Sequence, residues 1–239
     1  MKTERIDKML SLCLSLSRNE VKKLLRSGAV TADGEAVVSG SIKILPDFAK
    51  VTVNGLPVEI KRHVYIMQNK PKGVISASDG KGEKTVIDIL PTEYKRRGLF
   101  PAGRLDKDTV GFCLITDDGS FAHKILSPKS LIPKTYHAKL DRELDITSAS
   151  NEFAKGMTLS GQTLLPAELS LISGGSTPVC KVVIREGKYH QVKLMFNKLG
   201  LEVTELKRVK IGGLALDSTL SKGDSRYITK QELLLIDNV

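Results

Sequence analysis

The chain has 239 residues, of which 41% are hydrophobic and 27% are charged, and its formal net charge is +10. This composition excludes a disordered or fibrous chain, and the length allows one large domain or two smaller ones. The apolar runs are too short to span a bilayer, and charges near Met1 replace a signal peptide's apolar core, so we expect a cytoplasmic protein that binds no membrane. The excess positive charge favours a polyanionic partner, since neutralised phosphates release condensed counterions.

Two consecutive helices are predicted first. Residues 5–16 place apolar side chains at the spacing of one helical stripe: Ile6, Met9, Leu10, Cys13 and Leu14. Ser17 and Glu20 form a capping-box pattern that begins the second helix, and Gly28 suits the left-handed position that ends it. The exposed face of this second helix carries a row of cations that suits a phosphate backbone: Arg18, Lys22 and Arg26, with Lys23 alongside.

Short strands joined by tight turns follow at 29–32, 35–38 and 50–53, which predicts a compact domain over residues 1–60. This domain resembles the S4 RNA-binding domain in the order of Arg5-Ile-Asp-Lys8, Ser17-Arg18, Gly28-Ala-Val30 and Asp33-Gly34. The resemblance implies an RNA-facing surface that includes Arg5, Arg18, Lys22, Lys23 and Arg26. The pattern alone also allows a helical hairpin with a solvated charged face.

Residues 61–239 form the second predicted domain. Its strands include 64–67, 134–140 and 179–185, and its helices include 147–154, 189–199 and a short one capped by Thr229 and Glu232. Asp117 and Asp118 are interpreted as caps of another helix. The spacing is too irregular for a βαβ repeat, so we expect an α+β fold with a mixed, largely antiparallel sheet.

One loop combines a carboxylate with cations. Ala102-Gly-Arg-Leu-Asp-Lys-Asp-Thr-Val-Gly111 leads into an apolar strand, and catalytic groups usually lie on such loops. Asp106 supplies the carboxylate and Arg104 a planar cation. From the residues alone, the loop fits equally well a turn in which Asp106 caps a backbone amide and pairs with Arg104.

Gly103-Arg-Leu-Asp106 resembles the catalytic motif of pseudouridine synthases that carry an S4 domain and act on ribosomal RNA. The resemblance implies that Asp106 is the catalytic aspartate and that Arg104 helps to hold the flipped-out nucleotide, with Thr109 and Gly111 completing the motif. Asn69-Lys-Pro-Lys-Gly73 is similar to a motif that packs beneath the catalytic loop, and Lys70 and Lys72 are counted with Thr109 among the substrate-binding residues.

Two later segments continue the resemblance. Lys134-Thr-Tyr136 is similar to the segment whose tyrosine stacks on the target uracil, which implies that role for Tyr136. Glu186-Gly-Lys-Tyr-His-Gln-Val-Lys193 is similar to the motif whose basic residue pairs with the catalytic aspartate, here Lys193. Gln191 and Leu194 join the predicted substrate-binding residues, although relatives commonly carry a second basic residue where Leu194 stands.

The resemblance implies isomerisation of uridine to pseudouridine in ribosomal RNA without a cofactor. Tyr189-His-Gln-Val-Lys193 is more similar to the small-subunit enzymes than to the large-subunit ones, so we expect small-subunit RNA, or an assembling small subunit, as the partner of a monomeric enzyme. A large-subunit enzyme is the nearest alternative. A non-catalytic S4-type RNA-binding protein, or a hydrolase that uses Asp106 and Asp108 as paired carboxylates, are the alternatives from other classes.

The remaining chemically active side chains carry no recognisable site. The cysteines are odd in number and far apart, so Cys13, Cys113 and Cys180 are predicted to be buried apolar residues. The histidines lack metal-ligand spacing and are interpreted as structural or RNA-facing: His63, His123, His137 and His190. No metal site is expected.

Overall fold

A computed structural model describes residues 2–46, 48–159 and 161–237. The chain divides into two compact units. The first contains the residues up to Val64 together with Pro91–Leu99, and the second contains Tyr65–Leu90 and the chain from Phe100 onward.

The first unit combines two helices with short antiparallel strands. The helices are α1 (Ile6–Cys13) and α2 (Arg18–Arg26), and the strands are β1 (Glu4–Arg5), β2 (Val30–Ala32), β3 (Glu35–Ala36), β4 (Lys43–Ile44), β5 (Val51–Val53) and β6 (Leu56–Val58). Strands β3, β2, β5 and β6 form one sheet in that order, and β1 pairs with β4. The apolar stripes of both helices and one side of the sheet form a single core, which includes Ile6, Leu10, Val21, Leu25, Val30 and Val51.

Local signals in this unit are confirmed. Ser17 Oγ accepts a hydrogen bond from the Glu20 amide while the Glu20 carboxylate accepts one from the Ser17 amide, so the capping box is complete. Gly28 follows α2 with φ +72°.

Helix α1 stops at Cys13, before the predicted end at residue 16. Cys13 itself is half-exposed, which corrects the prediction that all three cysteines are buried.

The second unit is built on one large twisted sheet. Its strands are β7 (Tyr65–Lys70), β8 (Phe100–Pro101), β9 (Val110–Thr116), β10 (Lys134–Leu140), β11 (Thr158–Leu159), β12 (Gln162–Thr163), β13 (Glu168–Ser173), β14 (Val179–Ile184), β15 (Val203–Ile211), β16 (Leu214–Ala215) and β17 (Ser225–Tyr227). Its helices are α3 (Gly119–Leu126), α4 (Ile146–Lys155), α5 (Gln191–Lys198) and α6 (Lys230–Asp237).

The strand order of the sheet is β13-β14-β10-β15-β9-β7-β17, with β8 on β9 and β16 on β15, while β11 and β12 pair separately. Within the described residues, β15 and β9 run parallel and the other neighbours in this sheet run antiparallel. The predicted α+β fold with a largely antiparallel sheet is therefore confirmed. One core of this unit packs around the middle of the sheet and contains Met67, Phe112, Leu114, Ile125, Ile211 and Ile236.

Helix ends in this unit follow their capping residues. Asp118 accepts a hydrogen bond from the Phe121 amide at the start of α3, and Gly156 ends α4 with φ +80°. Thr229 and Glu232 form the predicted cap of α6. Helix α5 is shorter than predicted and begins at Gln191, because His190 adopts a left-handed conformation with φ +49° and leaves Tyr189 outside the helix.

Among the described residues, no helix combines the length and the apolar character needed to cross a membrane. In the same ranges, no three histidine, cysteine, aspartate or glutamate side chains are grouped so that they could hold a metal ion.

Candidate active site

The loop that carries Asp106 joins β8 to β9. The buried side chain of Lys70 donates hydrogen bonds to carbonyl oxygens of this loop. Lys70, at the end of β7, is fully buried, and its ammonium donates hydrogen bonds to the carbonyl oxygens of Pro71 at 3.0 Å, Lys107 at 3.3 Å and Thr109 at 2.8 Å. Burial lowers the pKa of Lys70 to about 8. These contacts support a role in holding the loop and leave the side chain no surface for direct contact with a substrate.

The loop ends at a close approach between two strands. Gly111 has φ +97°, and a Cβ atom placed on it would lie 2.3 Å from the carbonyl oxygen of Arg208 on the parallel strand β15. Arg208 is buried and donates from Nε to the carbonyl oxygen of Phe112 at 2.8 Å. A side chain at position 111 would therefore push β9 and β15 apart at the point where the loop enters the sheet.

Two basic side chains from the 186–193 segment meet the Asp106 carboxylate. His190 Nε2 lies 3.2 Å from Asp106 Oδ1, and Lys193 Nζ lies 3.3 Å from Asp106 Oδ2. Lys193 also approaches both carboxylate oxygens of Asp108, at 2.7 and 2.9 Å. The predicted pair of Lys193 and Asp106 is thus present, but Lys193 shares its charge with Asp108 and lies closer to it.

The contact between Lys193 and Asp108 shifts the pKa of both groups. The hydrogen bond from Lys193 lowers the pKa of Asp108 below its ordinary value, against the smaller opposing effect of burial. Burial works against the charge on Lys193, but the hydrogen bond to Asp108 and the charges of Asp106 and Asp108 together raise the pKa of this ammonium. Lys193 therefore remains charged beside Asp106 at neutral pH.

A depression open to solvent lies beside the Asp106 carboxylate. Its polar lining includes Arg104 and His190, and its apolar walls include Tyr136, Ile184 and Leu206. The buried Tyr136 belongs to β10, in which buried residues alternate with half-buried ones. The depression therefore offers an aromatic ring and a carboxylate to the same bound group.

Known proteins with similar sequences and structures identify the family. Residues 64–198 match the family model described as RNA pseudouridylate synthase. The chain belongs to this family. It is 42% identical over 235 residues to an uncharacterised RNA pseudouridine synthase of Bacillus subtilis, with 98% of each chain covered. It is 40% identical over 234 residues to ribosomal small subunit pseudouridine synthase A of Vibrio cholerae, with 97% of this chain and 99% of the relative covered.

A solved structure covers almost the same extent. A crystal structure of a pseudouridylate synthase superposes on 97% of this chain and 99% of its own, with 34% sequence identity and a TM-score of 0.68. The chain is therefore an RNA pseudouridine synthase, the class of enzyme that converts uridine in RNA to pseudouridine. The motif-based recognition of this family is confirmed.

The alternative in which the Asp106 loop is only a turn does not hold for this pseudouridine synthase. Among the described residues, the Asp106 carboxylate contacts His190 and Lys193 and accepts no backbone amide. Arg104 is exposed and forms no ion pair within the same ranges. The Asp106 side chain is thus oriented toward the depression, while the main-chain carbonyl oxygen of Asp106 accepts the turn hydrogen bond from the Thr109 amide at 3.1 Å.

The other predicted substrate-binding residues fall into different surroundings. Thr109 is buried beside the depression, and its hydroxyl has no hydrogen-bond partner among the described residues. Gln191 is buried and donates from Nε2 to Glu186 at 3.0 Å, so its amide supports the segment before α5. Lys72 and Leu194 are exposed.

Two side chains of this cluster are not among the predicted site residues. The sequence patterns predict a structural or RNA-facing role for His190, and a role for Asp108 only as the second carboxylate of a hydrolase. The spacing of His190 three residues before Lys193 was the available signal, since such spacing brings two side chains to one side of a helical turn. The left-handed backbone at His190 was not predictable from that pattern.

The predicted cations of the first unit differ in their surroundings. Arg18, Lys22, Lys23 and Arg26 are exposed on α2. Arg5 is instead paired with Asp7, with Nη2 2.6 Å from Oδ2, so its charge is partly neutralised. The cations of α2 are therefore more available to an RNA phosphate than Arg5 is.

Proposed function

We propose that this enzyme isomerises a specific uridine in small-subunit ribosomal RNA, with Asp106 as the reacting carboxylate. The placement of Asp106 at the Tyr136 depression, held by His190 and Lys193, carries the proposal. The substrate is inferred from relatives about 40% identical over nearly the whole chain, which are named ribosomal small subunit pseudouridine synthase A in Vibrio cholerae and Yersinia pestis.

The reaction requires a carboxylate near the sugar and no redox chemistry. The bond from ribose C1′ to base N1 breaks, the uracil turns, and C1′ bonds to C5, from which a proton leaves for N1. An ionised Asp106 can attack C1′ or remove a proton from C2′, and both are known roles of aspartate. Lys193 places a positive charge 3.3 Å from this carboxylate and helps to hold it in position.

The depression suits a uridine that has left its stack. Leaving the stack costs a few kcal/mol, which the face of Tyr136 offsets by stacking on the uracil. Arg104 is exposed and unpaired among the described residues, so it is available to occupy the space that the base vacates.

The geometry disfavours the hydrolase alternative. Glycoside hydrolysis by paired carboxylates requires one of them to stay protonated as the general acid, which needs a raised pKa. The pKa of Asp108 is lowered by its hydrogen bond with Lys193. Asp108 is therefore ionised at neutral pH and cannot donate that proton.

The first unit is assigned an RNA-binding role of the S4 type. The cations of α2 point away from its buried stripe and suit the phosphate backbone. We expect a monomeric cytoplasmic enzyme that needs no cofactor and acts on ribosomal RNA or an assembling small subunit.

The proposal is tested by mapping pseudouridine in ribosomal RNA with a carbodiimide adduct and primer-extension stops. We expect one new stop in small-subunit RNA with the wild-type protein and none with Asp106→Asn. Asp79→Asn, which changes an exposed aspartate outside the site, is the matched control and should keep the stop.

The other outcomes are equally informative. A stop confined to large-subunit RNA would overturn the substrate assignment and leave the catalytic one standing. A stop that persists with Asp106→Asn, or the absence of any stop from a wild-type protein that still binds RNA, would overturn the role of Asp106.

A further inference from the structure

An exposed aromatic ring stands next to the catalytic cluster. Tyr189 is 80% exposed. Its ring stacks on the imidazole of His190, with 3.8 Å between ring centroids and 17° between ring planes. One face of the phenol ring is therefore covered by His190, and the other is free to receive a ligand.

The stacked rings of Tyr189 and His190 extend from the Asp106 carboxylate to the solvent. His190 lines the depression and approaches Asp106 at 3.2 Å through Nε2, while Tyr189 covers one face of the imidazole. His190 has φ +49°, a conformation that residues other than glycine rarely adopt. This conformation keeps Tyr189 and His190 out of α5, so both rings are presented from a turn at the edge of the site.

We propose that the open face of Tyr189 stacks a nucleobase that neighbours the target uridine in the RNA. The inference rests on the proposed function. A base that leaves its stack deprives its neighbours of a stacking partner, and an aromatic ring close to the pocket replaces part of what they lose. Such stacking accepts any base, because every base has a π face.

The charges around the ring also suit RNA. Arg104 and Lys188 line the same depression, and their positive charges favour the phosphates on either side of the flipped nucleotide. Tyr189 contributes little to the core, since most of its surface remains in solvent. Its removal is therefore expected to spare folding, which makes the binding role testable.

The test uses a small-subunit RNA hairpin that carries the mapped uridine, with 2-aminopurine placed at each neighbouring position in turn. Binding is measured in the Asp106→Asn background, so that the target is not converted. We expect fluorescence quenching at one neighbouring position with Tyr189 and with Tyr189→Phe, and loss of that quenching with Tyr189→Ala. The dissociation constant should rise about tenfold with Tyr189→Ala, since stacking on one base is worth about five- to a hundredfold in affinity.

Leu234→Ala, an exposed apolar residue on α6, is the matched control and should change neither signal. An abasic nucleotide at the quenched position should weaken binding to the Tyr189 protein and leave binding to the Tyr189→Ala protein unaffected. Equal quenching and equal affinity with Tyr189 and Tyr189→Ala would overturn the proposal.

Single-turnover conversion of the same hairpin by proteins that retain Asp106 separates binding from positioning. We expect Tyr189→Ala to raise the RNA concentration needed for half-maximal rate and to keep the rate at saturation within several-fold. A large loss of the saturating rate, without weaker binding, would assign Tyr189 to positioning His190 instead of stacking RNA. If the proposed function itself is wrong, the wild-type protein will form no pseudouridine in the hairpin, whether or not the 2-aminopurine fluorescence is quenched.

Discussion

Lys193 lies between the carboxylates of Asp106 and Asp108, so its ammonium group interacts with both of them. Its shorter contacts are to Asp108, whose side chain is 56% exposed, while Asp106 is 29% exposed. An ion pair with an exposed partner contributes little, because solvent screens it. We therefore expect the longer contact, between Lys193 and Asp106, to matter more for the reaction than the contacts between Lys193 and Asp108.

Substitutions at the two ends of this cluster should consequently have unequal effects. Lys193→Met should lower the single-turnover rate by about a hundredfold or more, since it removes the cation that pairs with the proposed reacting carboxylate. Asp108→Asn should lower the rate by less than about tenfold, because it removes one exposed ion pair and leaves Lys193 to Asp106. Rates are measured at saturating RNA with tritium release from C5-labelled uridine. If Asp108→Asn lowered the rate as much as Asp106→Asn does, the predicted difference between the two carboxylates would be wrong. A mechanism that uses both carboxylates would then be favoured.

At the scale of elements, two contacts fix the loop that carries Asp106. Lys70 holds the loop carbonyls from below, and Gly111 allows β9 to approach the carbonyl oxygen of Arg208 on β15. This approach occurs at the parallel pair in the sheet, where Arg208 is opposite Gly111. The loop therefore depends on a strand that lies nearly one hundred residues further along the chain.

Gly111→Ala should destabilise the second unit by about 2 to 4 kcal/mol, because the new methyl group meets a backbone oxygen and the positive φ strains a residue with a side chain. Gly119→Ala is the matched control, since a Cβ atom there meets nothing within 4 Å. It lies at the first residue of α3 and should be neutral or stabilising by up to about 1 kcal/mol. Urea unfolding followed by circular dichroism measures both. Equal midpoints for the two variants would contradict the close approach.

For the whole molecule, the net charge of +10 is the property that RNA meets first. Not every basic side chain adds to this excess, since Arg5 is paired with Asp7 and the pair carries no net charge. The row of Arg18, Lys22 and Arg26 on α2 is exposed and has no ion pair among the described residues. This row is the feature of the first unit that best suits phosphate binding.

Replacing Arg18, Lys22 and Arg26 together by glutamine should weaken RNA binding to a similar extent for different sequences. The slope of log K against log salt concentration should fall by about one for each phosphate that the protein no longer neutralises. Binding is followed by filter retention between low and physiological salt, with Lys155, Lys198 and Lys230 changed to glutamine as a charge-matched control from the second unit. An unchanged slope, or equal slopes for the two triple variants, would remove the special role of this row.

Much of the fold was predictable because its signals are local. Ser17 with Glu20 and Thr229 with Glu232 form caps within one turn of chain, and the predicted strand 134–140 matches β10 because its alternation reflects one buried face. The end of α5 that precedes Gln191 was not predictable in this way. The left-handed conformation of His190 has no local sequence signal, and it accompanies contacts with Tyr189 and Asp106.

By itself, the sequence indicated the class of enzyme, the aspartate that we propose as the reacting group and the α+β character of the fold, because ordered motifs and periodic patterns are properties of short stretches of chain. Only the tertiary structure decided that Lys193 is shared between Asp106 and Asp108, that His190 joins them, and that the Lys70 ammonium is fully buried against the carbonyl oxygens of Lys107 and Thr109. These arrangements join residues separated by tens of positions in sequence. Their distances depend on strand order and on the parallel pairing of β9 with β15, which no local pattern encodes.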